Sequence, residues 1–517
     1  MRLTQTLQAA ALHHGGRIAT VYGARKRTYA DVLSRVARLA AGLREMGAQP
    51  GDRIAIIALN SDRYVEVYFA IAWAGCVSVP GNTRWSEAEH AFALDNCGPR
   101  LLLVDRAFAA LGQKLMSRAP DRIVYLDDGP APAGLHDVET IIAANDMMAD
   151  RCTSGDALAV IFYTGGTTGH SKGVMLSHDG LIVNFLAMNL VAPYGPHPVF
   201  LHSPPMFHLA DAAAIIGITI MAGTHVIVPG FDPVVVVRAI REHGVTALVL
   251  VPTMIGMLDA YVREKGADLG SVSELKYGAS PISVALLHRA LEMFPNARLC
   301  QAYGQTELSP VATILPHEWH KTNGPEARLL RSAGRAIPGV EVRIVDPDMN
   351  TVPAGSVGEI AVRGPNVMLG YWKNPDLTAK TIVDGWLRTG DAGYMDAEGF
   401  LFIVDRVKDM IVSGGENVYS AEVENALAQH PAVLECAVIG VPDSKWGERV
   451  HAFIRFREGA AASEDELIVH CESVIASYKR PRSFTIRTDP LPLSGAGKIL
   501  KTELRKPFWA DHGRNIG

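Results

Sequence analysis

The sequence predicts an α/β protein. A large, multi-subdomain N-terminal domain, with α/β sheets and a small β-rich subdomain, precedes a small α+β C-terminal domain. Three observations carry this reading. Strand-like apolar runs and helical periodicities alternate up to about Arg331. Beyond it, glycine and proline become dense and the strand-like pieces shorten. A charged stretch, Asp405-Arg406-Val407-Lys408-Asp409, then interrupts the apolar runs and places the boundary between 1–405 and 406–517. A chain of 517 residues is in any case too long for one ordinary core.

In chain order, Thr28-Tyr29-Ala30-Asp31 reads as a variant capping box, followed by Val32, Val36, Leu39 and Leu43 at helical spacing. Strands are predicted over 53–59, 101–104, 157–163, 246–251, 275–278 and 299–303, and helices over 64–74 and 181–190. The β-rich subdomain contributes strands at 341–345, 358–362 and 400–404. The last part reads as helix 421–430, strands 433–440 and 450–456, and helix 464–476, a normal domain size. No internal repeat is visible.

Hydrophobic residues make up 48% of the chain and charged residues 20%, which excludes wholesale disorder. Net charge is −5 and no strongly basic tract occurs, so nucleic acid is not an expected partner. The six cysteines are scattered and form no C-x-x-C, as expected for reduced thiols in a cytoplasmic protein without a metal knuckle. The most apolar long stretch, 209–223, carries Asp211 and is too short to span a bilayer. No transmembrane segment is therefore expected. Peripheral membrane contact through the substrate, and a homodimer, stay open.

The densest chemistry lies in Tyr163-Thr164-Gly165-Gly166-Thr167-Thr168-Gly169-His170-Ser171-Lys172-Gly173. Four glycines, four hydroxyls and a lysine follow an apolar strand within ten residues. Glycines allow backbone N–H groups to approach a ligand closely, and hydroxyls and a lysine add donors, so the loop suits a polyphosphate better than it suits a solvated turn. It is not a Walker A loop. Tyr303-Gly304-Gln305-Thr306-Glu307 follows a second buried strand, at the strand end where α/β folds place ligands.

Together these stretches resemble the signatures of the adenylate-forming (acyl-CoA synthetase, luciferase, peptide-synthetase adenylation) superfamily. Gly165 stands where the family has serine, and Ser171 where it has proline. Other stretches agree: Tyr277-Gly278-Ala279-Ser280-Pro281, Thr389-Gly390-Asp391, the hinge at 405–409 with Ile411 to Asn417, and Pro492 to Lys501. The resemblance runs from about Gln5 to Phe508, and its fatty-acid–CoA ligase branch fits best.

That resemblance implies ATP, Mg²⁺ and the co-substrate CoA, with a small-molecule carboxylic acid supplying the acyl group transferred. ATP and AMP would meet Thr164, Gly165, Gly166, Thr167, Thr168, Gly169, Lys172, Gly278, Ala279, Ser280, Ala302, Tyr303, Gly304, Gln305, Thr306, Asp391, Ile403, Arg406 and Lys498. Lys498, Glu307 and Thr306 would be catalytic, Thr164 and Glu307 would hold the metal, and Lys408 would be the hinge. Phe207, His208 and Ala279 would border the acyl pocket, with further lining after His208 and over 251–257. Ser413, Gly414, Gly415, Trp446, Lys479 and Arg480, with Arg482 nearby, would receive CoA. The pocket candidates carry no clear charged partner, so a fatty or aryl/arylalkanoic acid is expected. Two rivals remain: an adenylase that passes its acyl group to a carrier protein, and a noncatalytic nucleotide-binding homologue. No carrier domain follows Phe508 in this sequence, which favours CoA, and Lys498, Glu307 and Asp391 favour catalysis.

Overall fold

The computed structural model describes residues 1–116, 122–164, 171–406, 409–413, 416–443, 445–472, 474–494 and 499–510. Among them, four sheets organise the chain. Sheet A has nine strands, in the spatial order Arg335–Ala336, Val311–Leu315, Arg298–Gly304, Glu274–Gly278, Ala247–Leu250, Val199–His202, Thr224–Ile227, Ile18–Tyr22 and Arg25–Thr28. The run from Arg298–Gly304 to Ile18–Tyr22 is parallel throughout, and the strands flanking it are antiparallel.

Sheet B has eight strands: Gly370–Tyr371, Lys172–Ser177, Leu158–Thr164, Val77–Pro80, Arg53–Ile57, Leu101–Val104, Ile123–Tyr125 and His136–Asp137. It too is parallel, except for the antiparallel pair Lys172–Ser177 and Gly370–Tyr371 at one edge. Sheet C is antiparallel and is built from Glu341–Val345, Gly358–Arg363, Trp386–Met395, Ile382–Val383 and Leu401–Arg406. Sheet D holds Glu416–Val418, Ile411–Ser413, Gly447–Phe456, Val433–Asp443 and Ser483–Arg487.

One hydrophobic core joins sheets A and B. It contains Ala19, Ile227, Cys300 and Ile314 from the first and Ile54, Leu101, Val160 and Val174 from the second. Helices Leu3–His14, Tyr29–Glu45, Asp62–Trp73, His178–Val191 and Leu209–Ile220 contribute the apolar layer between them. The predicted capping box forms. Thr28 accepts from Asp31 N, Asp31 accepts from Thr28 N, and Val32, Val36, Leu39 and Leu43 are buried. The outer face of sheet A is covered by Pro233–His243, Pro252–Lys265 and Val284–Met293. Sheet D packs on Ser420–Leu427 and Glu464–Glu472.

The predicted strands appear with shifts of a residue or a few at their ends, but several strands had no prediction, among them Ile18–Tyr22, Val77–Pro80, Val199–His202, Thr224–Ile227, Val311–Leu315 and Trp386–Met395. Helix 464–476 stops at Glu472, and a short 3-10 turn covers Ser477–Lys479. Strand Lys172–Ser177 had no prediction, because its alternation is masked by the glycine- and hydroxyl-rich stretch before it. The apolar stretch containing Asp211 is the helix Leu209–Ile220. Its fully buried carboxylate lies 2.7 Å from His202 Nδ1, and His202 Nε2 lies 2.9 Å from His225 Nδ1. Among the described residues no helix is long and apolar enough to cross a membrane.

A second polar cluster ties the edge of sheet A to the helix layer. Asp62 is fully buried and accepts from Arg25 Nε at 2.6 Å, Arg25 Nη2 at 2.7 Å and Arg27 Nη1 at 2.6 Å. Arg27 also pairs with Glu66 at 2.8 Å, and Arg35 joins Glu66 to Glu139. Removing one member strands a buried partner, at a cost of about 3 kcal/mol or more. Asp62→Ala is expected to lower the thermal unfolding midpoint by about 3 °C or more. Differential scanning fluorimetry checks this, and an unchanged midpoint would show that the arginines find other partners.

Candidate active site

The candidate residues converge on the carboxyl ends of parallel strands in sheets A and B, the place where such sheets receive ligands. From sheet A come Gly278, Ala279 and Ser280 after Glu274–Gly278, and Ala302 to Glu307 at the end of Arg298–Gly304. From sheet B come Thr164, at the end of Leu158–Thr164, and Lys172, which pairs with it across the antiparallel step. Gly278 and Gly304 owe their identity to packing. A Cβ on Gly278 would meet Ala302 O at 2.1 Å, and one on Gly304 would meet Pro310 O at 2.0 Å. Ala279 holds the left-handed conformation, with φ 67°.

Sheet C adds the third wall. Tyr303 Oη donates to Asp391 Oδ2 at 2.8 Å. Gln305 Nε2 lies 3.4 Å from Thr389 O, and Thr389 Oγ1 accepts from Asp391 N at 3.1 Å. Asp391 pairs with Arg406 across the antiparallel ladder, and Ile403 pairs with Gly393. The residues expected around adenine and ribose are therefore neighbours. Tyr303 is buried, with its hydroxyl on Asp391 rather than held away from it.

Glu307 sits in a short 3-10 turn that a pair of asparagines holds. Asn184 Nδ2 donates to Val311 O at 2.6 Å, and Asn366 Nδ2 donates to Leu308 O and Val311 O at 3.0 Å each. The Glu307 side chain is buried, and its Oε1 accepts from Tyr371 Oη at 3.0 Å. Burial, followed by the Glu307 carboxylate, pushes the Tyr371 phenol well up, so it stays protonated and donates. Lys172 Nζ lies 5.2 Å from the centre of the same ring. Among the described residues no lysine or arginine forms an ion pair with Glu307. A buried carboxylate that accepts from a phenol and has no cationic side-chain partner among the described residues fits a hard cation carried in on phosphate oxygens. The described residues hold no cluster of three or more His, Cys, Asp or Glu side chains placed to ligate a metal ion.

Below this wall, His320 Nε2 lies 2.9 Å from Tyr277 Oη, and its Nδ1 lies 3.0 Å from Pro316 O. A carbonyl acceptor requires Nδ1–H; burial disfavours the charged ring, so it is neutral and Nε2 accepts from the tyrosine. Burial holds its pKa down at about 4.

At the acyl side, Phe207 is buried, and His208 caps helix Leu209–Ile220 with Nδ1 accepting from Ala210 N at 3.4 Å. Val251 and Met254 are buried, whereas Met257, inside the stretch expected to line the pocket, is exposed. In sheet D, Ser413 pairs with Gly447, next to Trp446. The basic patch expected there is largely neutralised. Lys479 bonds Glu422 at 2.7 and 2.8 Å, Arg480 bonds Glu472, and Arg482 lies over the Trp446 ring at 4.5 Å. The acidic partners lie outside the short motif that suggested the patch, so it read as more positive than it is. Gly165, Gly166, Thr167, Thr168, Gly169, Lys408, Gly414, Gly415 and Lys498 lie outside the described residues, as does the Arg406 side chain. Close to Lys498 in the chain, Ser494 O accepts from Arg84 Nη1 at 3.1 Å, which brings residues of the C-terminal part against the N-terminal part.

Sequence reasoning missed Tyr371, Asn184, Asn366, His320 and Arg84. Tyr371 lies on a strand of two residues, too short for any periodicity, and its one signal is the Gly370-Tyr371-Trp372 triplet.

Comparison with known proteins agrees with this geometry. Residues 7–372 match the family model described as AMP-binding enzyme, and residues 422–498 match the AMP-binding enzyme C-terminal domain. A feruloyl-CoA synthase from Amycolatopsis sp is 38% identical over 508 residues, covering 98% of this chain and 97% of the relative. A fatty acid–[acyl-carrier-protein] ligase from Streptomyces coeruleorubidus is 35% identical, covering 99% and 98%. The solved o-succinylbenzoate CoA synthetase from Bacillus subtilis, in complex with its acyl-adenylate intermediate, superposes with a TM-score of 0.85 at 30% identity, covering 96% of this chain and 97% of that one. The chain belongs to the AMP-binding enzyme family. Its place there is among the ATP-dependent, AMP-forming acyl-CoA ligases, which are acid–thiol ligases.

The neutral His320 makes a pH prediction, and His178 and His451 are likewise held at about 4 by burial. The usual value is 6.5, so between 6.5 and about 4 the unfolded chain binds more protons than the folded one. Stability contributed by these neutral rings is complete above that window and is lost as pH falls through it. The thermal midpoint should drop from pH 7 to pH 4.5, and His320→Gln should make that drop shallower. An identical slope in the variant would mean that the ring is not held neutral.

Proposed function

We propose that this ligase activates a hydrophobic carboxylic acid, fatty or aryl/arylalkanoic, and transfers it to CoA. The observation that carries the reading is that Thr164, Lys172, Glu307 and Tyr303 lie at strand ends of sheets A and B, with Lys172 and Glu307 meeting at Tyr371 and Tyr303 bonded to Asp391 of sheet C. A carboxylate oxygen of the acid attacks the α-phosphorus of ATP, the bond to the β-phosphate breaks, and pyrophosphate leaves. The CoA thiol then loses its proton and attacks the acyl carbon, and AMP departs with the C–O bond electrons.

In this reading Lys172 and the glycine-rich stretch hold the phosphates, and Asp391 with Arg406 takes the ribose. Glu307 and Thr164 hold Mg²⁺, which when bound neutralises phosphate charge. Lys498 stabilises charge developing between the carboxylate and the α-phosphate, a contribution on the order of 10²- to 10³-fold in rate. The parts 1–405 and 406–517 then turn about Lys408 between the half-reactions. The Arg84–Ser494 contact supports placing Lys498 near the nucleotide for the first of them.

The feruloyl and fatty-acid relatives, together with the apolar Phe207, Val251 and Met254, support a hydrophobic acid. The free thiols of Cys76, Cys97, Cys152, Cys300, Cys436 and Cys471 support a reducing, cytoplasmic setting. A second reading, transfer to a carrier protein, draws support from the paired states of Lys479 and Arg480 and from the carrier-protein relative.

A pyrophosphate-release screen over aliphatic, aryl and dicarboxylic acids tests the acid class. Fatty or aryl acids are expected to lead in kcat/KM, and a lead by dicarboxylic acids would overturn this assignment. Product mass spectrometry with CoA against a carrier protein separates the two acceptors. Glu307→Gln should raise the Mg²⁺ concentration needed for pyrophosphate release, and wild-type behaviour across the titration would remove Glu307 from the metal. Lys498→Ala should lose most pyrophosphate release while still converting supplied acyl-AMP and CoA to thioester. Equal loss of both steps would contradict its role.

A further inference from the structure

We infer that Tyr371 is a positioning residue for adenylation: its phenol orients Glu307 toward the metal and fixes that carboxylate against Lys172. This rests on the metal-holding role proposed for Glu307 and goes beyond it. Glu307 belongs to the turn after a strand of sheet A, whereas Tyr371 and Lys172 belong to the antiparallel edge of sheet B. A glutamate has three side-chain torsions, so backbone position alone does not aim its carboxylate. Here the Tyr371 O–H occupies Oε1 at 3.0 Å, which leaves the other oxygen to face a cation.

The tyrosine is itself held firmly. Gly370 and Tyr371 pair with Met175 and Val174, Tyr371 N donates to Thr378 Oγ1 at 2.9 Å, and Trp372 N donates to Gly173 O at 2.7 Å. Met368 N donates to Glu307 O at 2.9 Å, so the same segment grips residue 307 by main chain and by side chain. The Lys172 ammonium stands 5.2 Å from the ring centre. One rigid ring therefore sets the spacing between a phosphate-binding cation and a metal-binding carboxylate, a spacing that a polyphosphate–metal complex must match.

Tyr371→Phe keeps the ring and its contact with Lys172 and removes only the O–H. Outer partners of metal ligands typically contribute on the order of 10-fold or more to metal affinity. The dissociation constant of Mn²⁺ in the presence of α,β-methylene-ATP, read by electron paramagnetic resonance without turnover, should rise about 10-fold. The Mg²⁺ half-saturation of pyrophosphate release should rise in parallel. Thioester formation from supplied acyl-AMP and CoA should be unchanged. Thr378→Val, which frees the Tyr371 amide, should shift Mn²⁺ binding in the same direction by less. If Glu307→Gln weakens Mn²⁺ binding but Tyr371→Phe does not, Glu307 acts without the phenol and the inference is overturned. If neither variant changes it, the metal role of Glu307 itself fails and takes the inference with it. If Tyr371→Phe depresses both half-reactions and the thermal midpoint together, the phenol is structural only and the inference is wrong.

Discussion

Two parallel sheets can open toward one ligand only if something registers them, and here the segment 368–372 does so. Its amides bond Glu307 O, Met175 O and Gly173 O, one partner in the turn after sheet A and two on the edge of sheet B. Besides that seam, the turn carrying Glu307 and the strand carrying Lys172 are joined by their shared hydrophobic core and by Asn184, on the helix that follows the strand. Packed apolar side chains set separation well, but they tolerate sliding better than directional bonds do. The polar seam supplies the remaining precision, and the asparagine pair on Leu308 O and Val311 O stiffens the turn from behind.

The same logic explains why charged groups sit deep in the helix layer. Asp62 and Asp211 are both fully buried, a costly state for a carboxylate without partners. Asp62 is answered by two arginines on the edge strand of sheet A, and Asp211 by the imidazole of His202 on a central strand. Each pairing links a helix to a strand at one register, which apolar contacts specify less sharply. Asp211 also sits one turn along the helix that His208 caps, so the buried pair steadies the segment leading to the acyl side.

Much of this was legible in the sequence where local rules and tertiary demands agree. The capping box at Thr28, the buried strand 101–104 and the hydrophobic face Val32-Val36-Leu39-Leu43 follow from side-chain chemistry within a few residues. The strand-end positions of Thr164, Gly278 and Tyr303 were legible because short motifs carried them. Long-range pairings were not. Tyr371 meets Glu307 across 64 residues, and Asn184 meets Val311 across 127. No spacing rule connects such positions. The basic residues at 479 and 480 misled for the complementary reason: their acidic partners, Glu422 and Glu472, arrive from separate elements.

The Arg84 bond to Ser494 reaches a main-chain oxygen, not a side chain. Any residue at 494 would present that oxygen, so drift at the position leaves the contact in place, whereas replacement of the arginine abolishes it. Control of this contact therefore lies with one partner alone. Its strength matters as well. A single hydrogen bond contributes roughly 1 kcal/mol net, about a fivefold bias between two arrangements. A bond of that size breaks by thermal fluctuation alone.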